Sequence, residues 1–205
     1  DTGKIEQKNY SLYHFTKALN KTTLTNTSKG IPINWRINEN GIISFSKLGK
    51  NLFFGTGPKF IPKDTSLPEF DRVNVDVWHY NDDDLQPTQL RNLDADVKRS
   101  YLAKLDINNN QIVQIANEKF PRVLQTLEGD GTVFYAGTDE GKRVARQWQG
   151  FSVIDVYAIN AMDGKATLIR TNLKGNISAS YTGKYLLMYD ERKKEYQTYN
   201  ASTQK

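Results

Sequence analysis

Apolar and polar positions alternate along this chain in short runs, and the runs are separated by turns rich in Gly, Asn and Asp. A period of two marks strands with one face in a core, and these turn residues accept the backbone angles that reverse a chain. The runs also repeat. Ile177-Ser-Ala-Ser-Tyr-Thr-Gly-Lys-Tyr-Leu-Leu-Met-Tyr-Asp190 lies over Ile43-Ser-Phe-Ser-Lys-Leu-Gly-Lys-Asn-Leu-Phe-Phe-Gly-Thr56, sharing Ile-Ser-x-Ser-x-x-Gly-Lys-x-Leu. Leu124–Ala136 is a looser copy. Each copy predicts a strand, a tight turn with glycine at positive φ, and a second strand.

A second unit follows each hairpin. Asp155–Lys165 aligns with Glu195–Lys205, Ser100–Gln111 gives a third copy, and Tyr13–Lys21 a weaker fourth. Each reads as a half-buried strand ending in a polar turn, and Lys165–Arg170 and Gln111–Ile115 read as closing strands. Two such units make a four-stranded antiparallel sheet, the blade of a β-propeller. The turn position recurs at 111, 165 and 205, spacings of 54 and 40 residues, against about 40–50 residues per blade. The pattern therefore predicts an all-β chain forming one partial propeller. Residues 11–26 are half a blade, 42–115 a blade enlarged by an insertion at 57–99, 121–170 a further blade, and 175–205 an incomplete one.

The insertion carries its own signals. Asp71–Tyr80 alternates strictly, with Val73, Val75 and Val77 on one face. After the acidic turn Asp82-Asp83-Asp84, Pro87 suits the first turn of a helix, and Leu90, Leu93 and Val97 form a stripe at helical spacing. A helix over 87–99 is the single helix expected.

Composition adds limits. The 205 residues suffice for a sizeable core, and eleven Tyr, nine Phe and three Trp suit half-buried sheets. The net charge is +5 and the pI near 9.2, yet Lys and Arg are scattered. Nothing concentrates charge as a nucleic-acid surface requires. The absence of Cys excludes disulfides and thiolate metal sites, and no apolar run reaches the ~20 residues of a membrane span. The opening Asp1-Thr2-Gly3, without methionine, reads as a processed or excised start.

Candidate chemistry is sparse. Gly150-Phe-Ser-Val-Ile lacks the second glycine of a nucleophile elbow, which sets Ser152 aside. His14 and His79 lie in alternating segments and read as structural; Asp82 and Asp83 near His79 allow a polar cluster. Asp106-Ile-Asn-Asn-Asn110 imitates the start of a calcium loop, but Gln111 and Asn117 stand where Gly and Glu are required, which makes it a β-turn. Asp82-Asp83-Asp84 reads as a solvated turn rather than a cation site. No catalytic residue, cofactor or metal ligand is expected.

The Ile-Ser-x-Ser-x-x-Gly-Lys-x-Leu repeat, with Glu195–Lys205 after it, resembles blades of the prolyl oligopeptidase family, and TolB-type propellers share it. Val75-Asp-Val-Trp-His-Tyr-Asn-Asp-Asp-Asp-Leu-Gln-Pro-Thr-Gln-Leu90, followed by Lys98-Arg-Ser-Tyr-Leu-Ala103, resembles a segment within propellers of bacterial exported peptidases of that family, the dipeptidyl peptidase IV-like and alanyl dipeptidyl peptidase-like enzymes. The resemblance covers most of residues 40–205. It implies a non-catalytic propeller segment of a serine exopeptidase, periplasmic or extracellular. Its partners would be the parent's own C-terminal hydrolase domain and the parent's peptide substrate, with no nucleic acid. The Glu-Glu pair that dipeptidyl peptidase IV propellers use to hold a substrate amino terminus has no counterpart. A TolB-like interaction scaffold is the alternative, and a propeller enzyme with a channel metal a third reading.

Overall fold

Strand β5 (Asn51–Pro58) has six consecutive buried residues. Neighbouring side chains on a strand point to opposite faces, so such a strand needs cover on both sides of its sheet. The computed structural model, which describes residues 8–15, 21–59, 68–71, 75 and 78–205, shows how that cover is built. The chain folds into successive antiparallel sheets, each made from strands close in sequence.

The first is a hairpin of β1 (Leu12–Phe15) and β2 (Lys21–Leu24), with Leu12 opposite Leu24. The second runs β3 (Trp35–Ile37), β5, β6 (Tyr101–Asp106), β7 (Gln111–Gln114), and the short β4 (Ser44–Phe45) also pairs with β5. The third joins β8 (Val133–Thr138), β9 (Ile154–Asn160) and β10 (Ala166–Leu173). Its outermost strand is reduced to one bridge, Leu124 to Tyr135. The fourth holds β11 (Gly175–Ala179), β12 (Tyr185–Asp190) and β13 (Glu195–Asn200).

Three apolar seams lie between these sheets. Leu24 of the first packs with Ile37, Leu52, Phe54, Leu105 and Ile112 of the second. The opposite face of the second sheet sends Phe53 and Val113 against Phe134, Ala136 and Ile159 of the third. The third then sends Tyr135, Val156 and Leu173 against Leu186, Met188 and Tyr199 of the fourth. Each seam side chain removes enough apolar surface from water to contribute roughly 1.5–3 kcal/mol. Sequence-consecutive antiparallel sheets stacked face to face in chain order are the architecture of a partial β-propeller.

The repeated turns are alike down to single hydrogen bonds. In the β4–β5 turn, Ser46 N donates to Asn51 O at 2.8 Å, Gly49 N to Ser46 O at 2.9 Å, and Asn51 N to Ser46 Oγ at 3.1 Å. In the β11–β12 turn, Ser180 N donates to Tyr185 O at 2.8 Å, Gly183 N to Ser180 O at 2.9 Å, and Tyr185 N to Ser180 Oγ at 3.0 Å. Gly49 and Gly183 take φ of 68° and 73°, the left-handed angles that only glycine adopts freely. Other turns repeat a different device, a side-chain oxygen that caps its own turn. Asp106, Asn160, Asp190 and Asn200 each accept a hydrogen bond from the N–H two residues ahead, at 2.9, 2.8, 3.0 and 3.0 Å.

The helices depart from expectation. Helix α1 spans Gln86–Val97, one residue earlier at its start and two at its end than the 87–99 expected, with Pro87 in its first turn. Its stripe finds no core among the described residues: Leu90 and Leu93 are 59% and 54% exposed. A second helix, α2 (Arg143–Gln149), was not expected at all. It has no buried residue, and its seven residues are too few to display a helical period. Of the alternating run at 71–80, residues 72–74 and 76–77 lie outside the described residues; Val75 and Trp78–Tyr80 are not in a strand, and a 3-10 turn covers Glu69–Asp71. Residues 16–20, within the weakest of the repeat copies, also lie outside them.

The two turn glycines give a graded test. A Cβ at Gly49 meets nothing within 4 Å, whereas one at Gly183 comes within 2.8–3.0 Å of the Thr126 side chain. Gly49→Ala is expected to cost about 1–2 kcal/mol from the left-handed angle alone. Gly183→Ala should cost clearly more, because Thr126 is buried and donates to Val133 O at 2.7 Å. Urea unfolding of the two variants measures the difference, and equal costs would contradict the close approach.

Candidate functional site

The equivalent turns of the second, third and fourth sheets meet at one end of the stack. The middle one is distorted: Leu127 and Glu128 both take left-handed angles, φ 49° and 51°, which for residues other than glycine stores on the order of 1–3 kcal/mol each. That distortion lifts the turn into contact with both neighbours. Lys47 N donates to Glu128 O at 3.2 Å, and Leu127 N to Tyr181 O at 2.7 Å. Lys47 Nζ donates to Glu128 Oε1 at 2.6 Å and to the Tyr181 hydroxyl at 3.2 Å, and that hydroxyl donates to Glu128 Oε1 at 2.9 Å. One sheet in, the buried Tyr135 hydroxyl donates to Gly183 O at 2.6 Å. Burial, then the nearby Tyr199, pushes the Tyr135 phenol up to about 12, so it stays a donor.

Behind this rim, at the end of the seam between the second and third sheets, an open cavity of about 340 Å³ is lined by Lys50, Lys104, Asp106, Asp130, Thr132 and Met162 among others. Lys104 is the unusual member. It pairs with Phe53 on one side and Val113 on the other, and so shares their face of the sheet, which is the seam. It is 4% exposed. Among the described residues no hydrogen bond or ion pair reaches its ammonium; burial lowers its pKa and Asp106 counters only in part. The corresponding ladder positions are Ala158, opposite Tyr135, and Thr198, opposite Leu187. Asp130 Oδ2 accepts from Leu48 N at 2.7 Å, while its Oδ1 is buried without a partner among the described residues.

The residues weighed from sequence are placed elsewhere and not together. Ser152 is exposed beyond α2, and Gly150 is that helix's left-handed C-cap at φ 70°, not an elbow. His14 sits in β1, with its ring 6.0 Å from Phe45. His79 lies in an exposed turn rather than at a sheet rim. Its Nδ1 accepts from Asn81 N at 3.2 Å, and Asp82 accepts from the His79 backbone rather than from the ring. Asp106 and Asn109 spend side-chain oxygens on backbone N–H groups of their own turn, and Asn117 Oδ1 accepts from Phe120 N. Among the described residues no group of three His, Asp or Glu is placed to hold a metal ion.

Asp82-Asp83-Asp84 is not a solvated turn. Arg143 Nη1 reaches Asp83 at 3.1 Å and Arg146 Nη2 reaches Asp84 at 3.2 Å, while both arginines also bind Asp139, at 2.8 and 3.3 Å. Gln147 Nε2 donates to the carbonyls of Asp82 and Asp83. Helix α2 thus clamps the insertion to the third sheet by charge, which explains how it forms without an apolar stripe.

No protein-family model matches the chain, and no curated protein matches it. Among the solved structures similar to it are two that match over nearly its whole length. One is a prolyl endopeptidase from a study of inter-domain dynamics in catalysis and specificity, 13% identical with a TM-score of 0.39 over 94% of this chain. The other is TolB from Acinetobacter baumannii, 12% identical with a TM-score of 0.36 over 97%. The chain spans 26% and 39% of their respective lengths.

Two outcomes follow for the rim and the clamp. The Lys47 hydrogen bond, then Tyr181, holds the Glu128 carboxyl below its ordinary 4.5, and Glu128 raises Lys47 to about 12. The depressed Glu128 pKa means that the pair's contribution is complete above pH 4.5 and fades as pH falls through the lower folded value. The raised Lys47 pKa means that it also fades as pH rises from 10.5 through about 12. The stability gap between wild type and Glu128→Gln should therefore be constant at neutral pH and close in acid; a gap unchanged in acid sinks the assignment. For the clamp, Arg143→Ala with Arg146→Ala should speed amide exchange at 79–84 by about tenfold or more, while global stability moves by less than about 1 kcal/mol. Unchanged exchange there would contradict it.

Proposed function

We propose that this chain is a non-catalytic propeller segment of a prolyl-oligopeptidase-type serine exopeptidase, gating peptide access to a hydrolase domain that lies outside these residues. The observation that carries the gating half is the interlocked rim. Three successive turns are tied by backbone bonds and by the Lys47–Glu128–Tyr181 triad into one rigid edge, as a filter over a chamber requires. The peptidase half is supported by the resemblance at Val75–Leu90, whose acidic turn α2 pins to the third sheet. A periplasmic or extracellular setting belongs to the same reading. Among the described residues no helix is long and apolar enough to cross a membrane.

The second reading, a TolB-like scaffold that binds a protein partner, is favoured by the outer face of the fourth sheet. Leu187 stands where Phe53 and Tyr135 stand in the earlier sheets, yet it is 39% exposed against 1% and 0%, and Tyr185 and Tyr196 flank it.

The purified 205-residue chain is expected to leave aminoacyl and dipeptidyl chromogenic substrates intact; turnover by the chain alone overturns the proposal. The reading frame in the gene separates the two readings. A Gly-x-Ser-x-Gly elbow within the few hundred codons after Lys205 supports the peptidase, and a stop codon soon after Lys205 supports the scaffold.

A further inference from the structure

The end of the seam between the second and third sheets holds a buried lysine with no hydrogen bond or ion pair among the described residues. Lys104 lies among Phe53, Val113 and their apolar neighbours with only 4% of its surface exposed, and no described residue pairs with its ammonium. A lysine so placed loses most of its hydration, and Asp106 offsets that loss only in part. The sister sheets avoid the cost with Ala158 and Thr198 at the same ladder position. The lysine lines an open cavity of about 340 Å³. That is the volume of a small-molecule site.

We propose that this cavity binds a small anion bearing a carboxylate or phosphate group, held by Lys104 at its inner end and by Lys50 at its mouth. Lys50 is exposed, and its side chain, too, makes no hydrogen bond to a described residue. Lys47 also lines the cavity but is already engaged by Glu128, so it is a wall rather than a ligand. The two carboxylates of the lining are partly committed. Asp106 accepts from Asn108 N in its own turn, and Asp130 Oδ2 accepts from Leu48 N. They oppose a large polyanion, which limits the site to one small acidic group. Met162 and the carbon stems of the lysines supply apolar surface for the rest of such a ligand.

Protonation is linked to occupancy. Burial lowers the Lys104 pKa from its ordinary value, and an anion opposite the ammonium would raise it, so occupancy of the cavity shifts the amine's titration upward. This separates a bound counter-ion from general attraction to a basic surface, which leaves the amine's titration unmoved.

The test uses the full chain with inorganic phosphate and, separately, butyrate. The expected result is saturable binding by calorimetry that weakens about tenfold or more in Lys104→Met, and a rise in the titration midpoint of the wild-type Lys104 Cε resonance when ligand is present. Lys104→Met replaces a lone buried charge by an isosteric thioether, so its melting temperature should equal or exceed that of wild type. The resonance is read on unmutated protein and decides the matter even where the variant folds poorly. Phosphate binding without butyrate binding assigns a phosphate ligand, and the reverse a carboxylate. Neither ligand binding saturably, equal affinity in Lys104→Met, or an unmoved Lys104 midpoint would each overturn the proposal.

Discussion

Two-sided burial is the constraint on which the rest of the structure depends. A sheet of three to five short strands cannot bury both faces by itself, and β5, with six buried residues in succession, requires cover on both. The fold meets that demand by laying the sheets against one another in chain order. Leu52 and Phe54 look back toward the first hairpin, and Phe53 looks forward to the third sheet. The third sheet repeats the arrangement with Phe134 and Ala136 backward and Tyr135 forward. Strand alternation and stacking are therefore one fact seen at two scales.

Stacking in register also brings the equivalent turns to one end, and the rim and the cavity follow from that. Because the Ser46 and Ser180 turns share the same hydrogen bonds, the residues after them emerge in matched positions. The middle turn reaches both only by accepting two left-handed residues, Leu127 and Glu128. The cavity lies where the seam runs out beneath these turns. There the repeat carries a lysine where the third and fourth sheets carry Ala158 and Thr198, which brings a charge to the cavity lining.

Much of this was legible in the sequence, because the period-two pattern and the repeated Ser-x-x-Gly turns depend on local backbone preferences. The antiparallel propeller architecture and the Asx-capped turn at Asp106 both come from such signals. What escaped was held together by charge or by distance along the chain. Helix α2 has no buried face, and its partners Asp83 and Asp84 lie some sixty residues away. The acidic turn looked solvated because its arginines are remote. Strand β3 is three residues long and joins β5 from outside the repeat. Lys104 carried a signal that could have been used: aligned on the turn at 111, 165 and 205, it falls on Ala158 and Thr198 in an inward position. The stripe on α1 was legible but misleading, since periodicity reports a face and not what covers it.

Native-state hydrogen exchange, read amide by amide, tests the stacked-sheet account most directly. Strands whose sheets are covered on both faces should open only with the whole molecule, so β5 and β8 should exchange slowest and with a common free energy. β13, whose sheet carries the exposed Leu187 and Tyr196 on its outer face, should exchange through smaller openings and at least about tenfold faster. Amides of β13 as slow as those of β5 and β8, or β5 exchanging at the rate of a surface loop, would contradict the account.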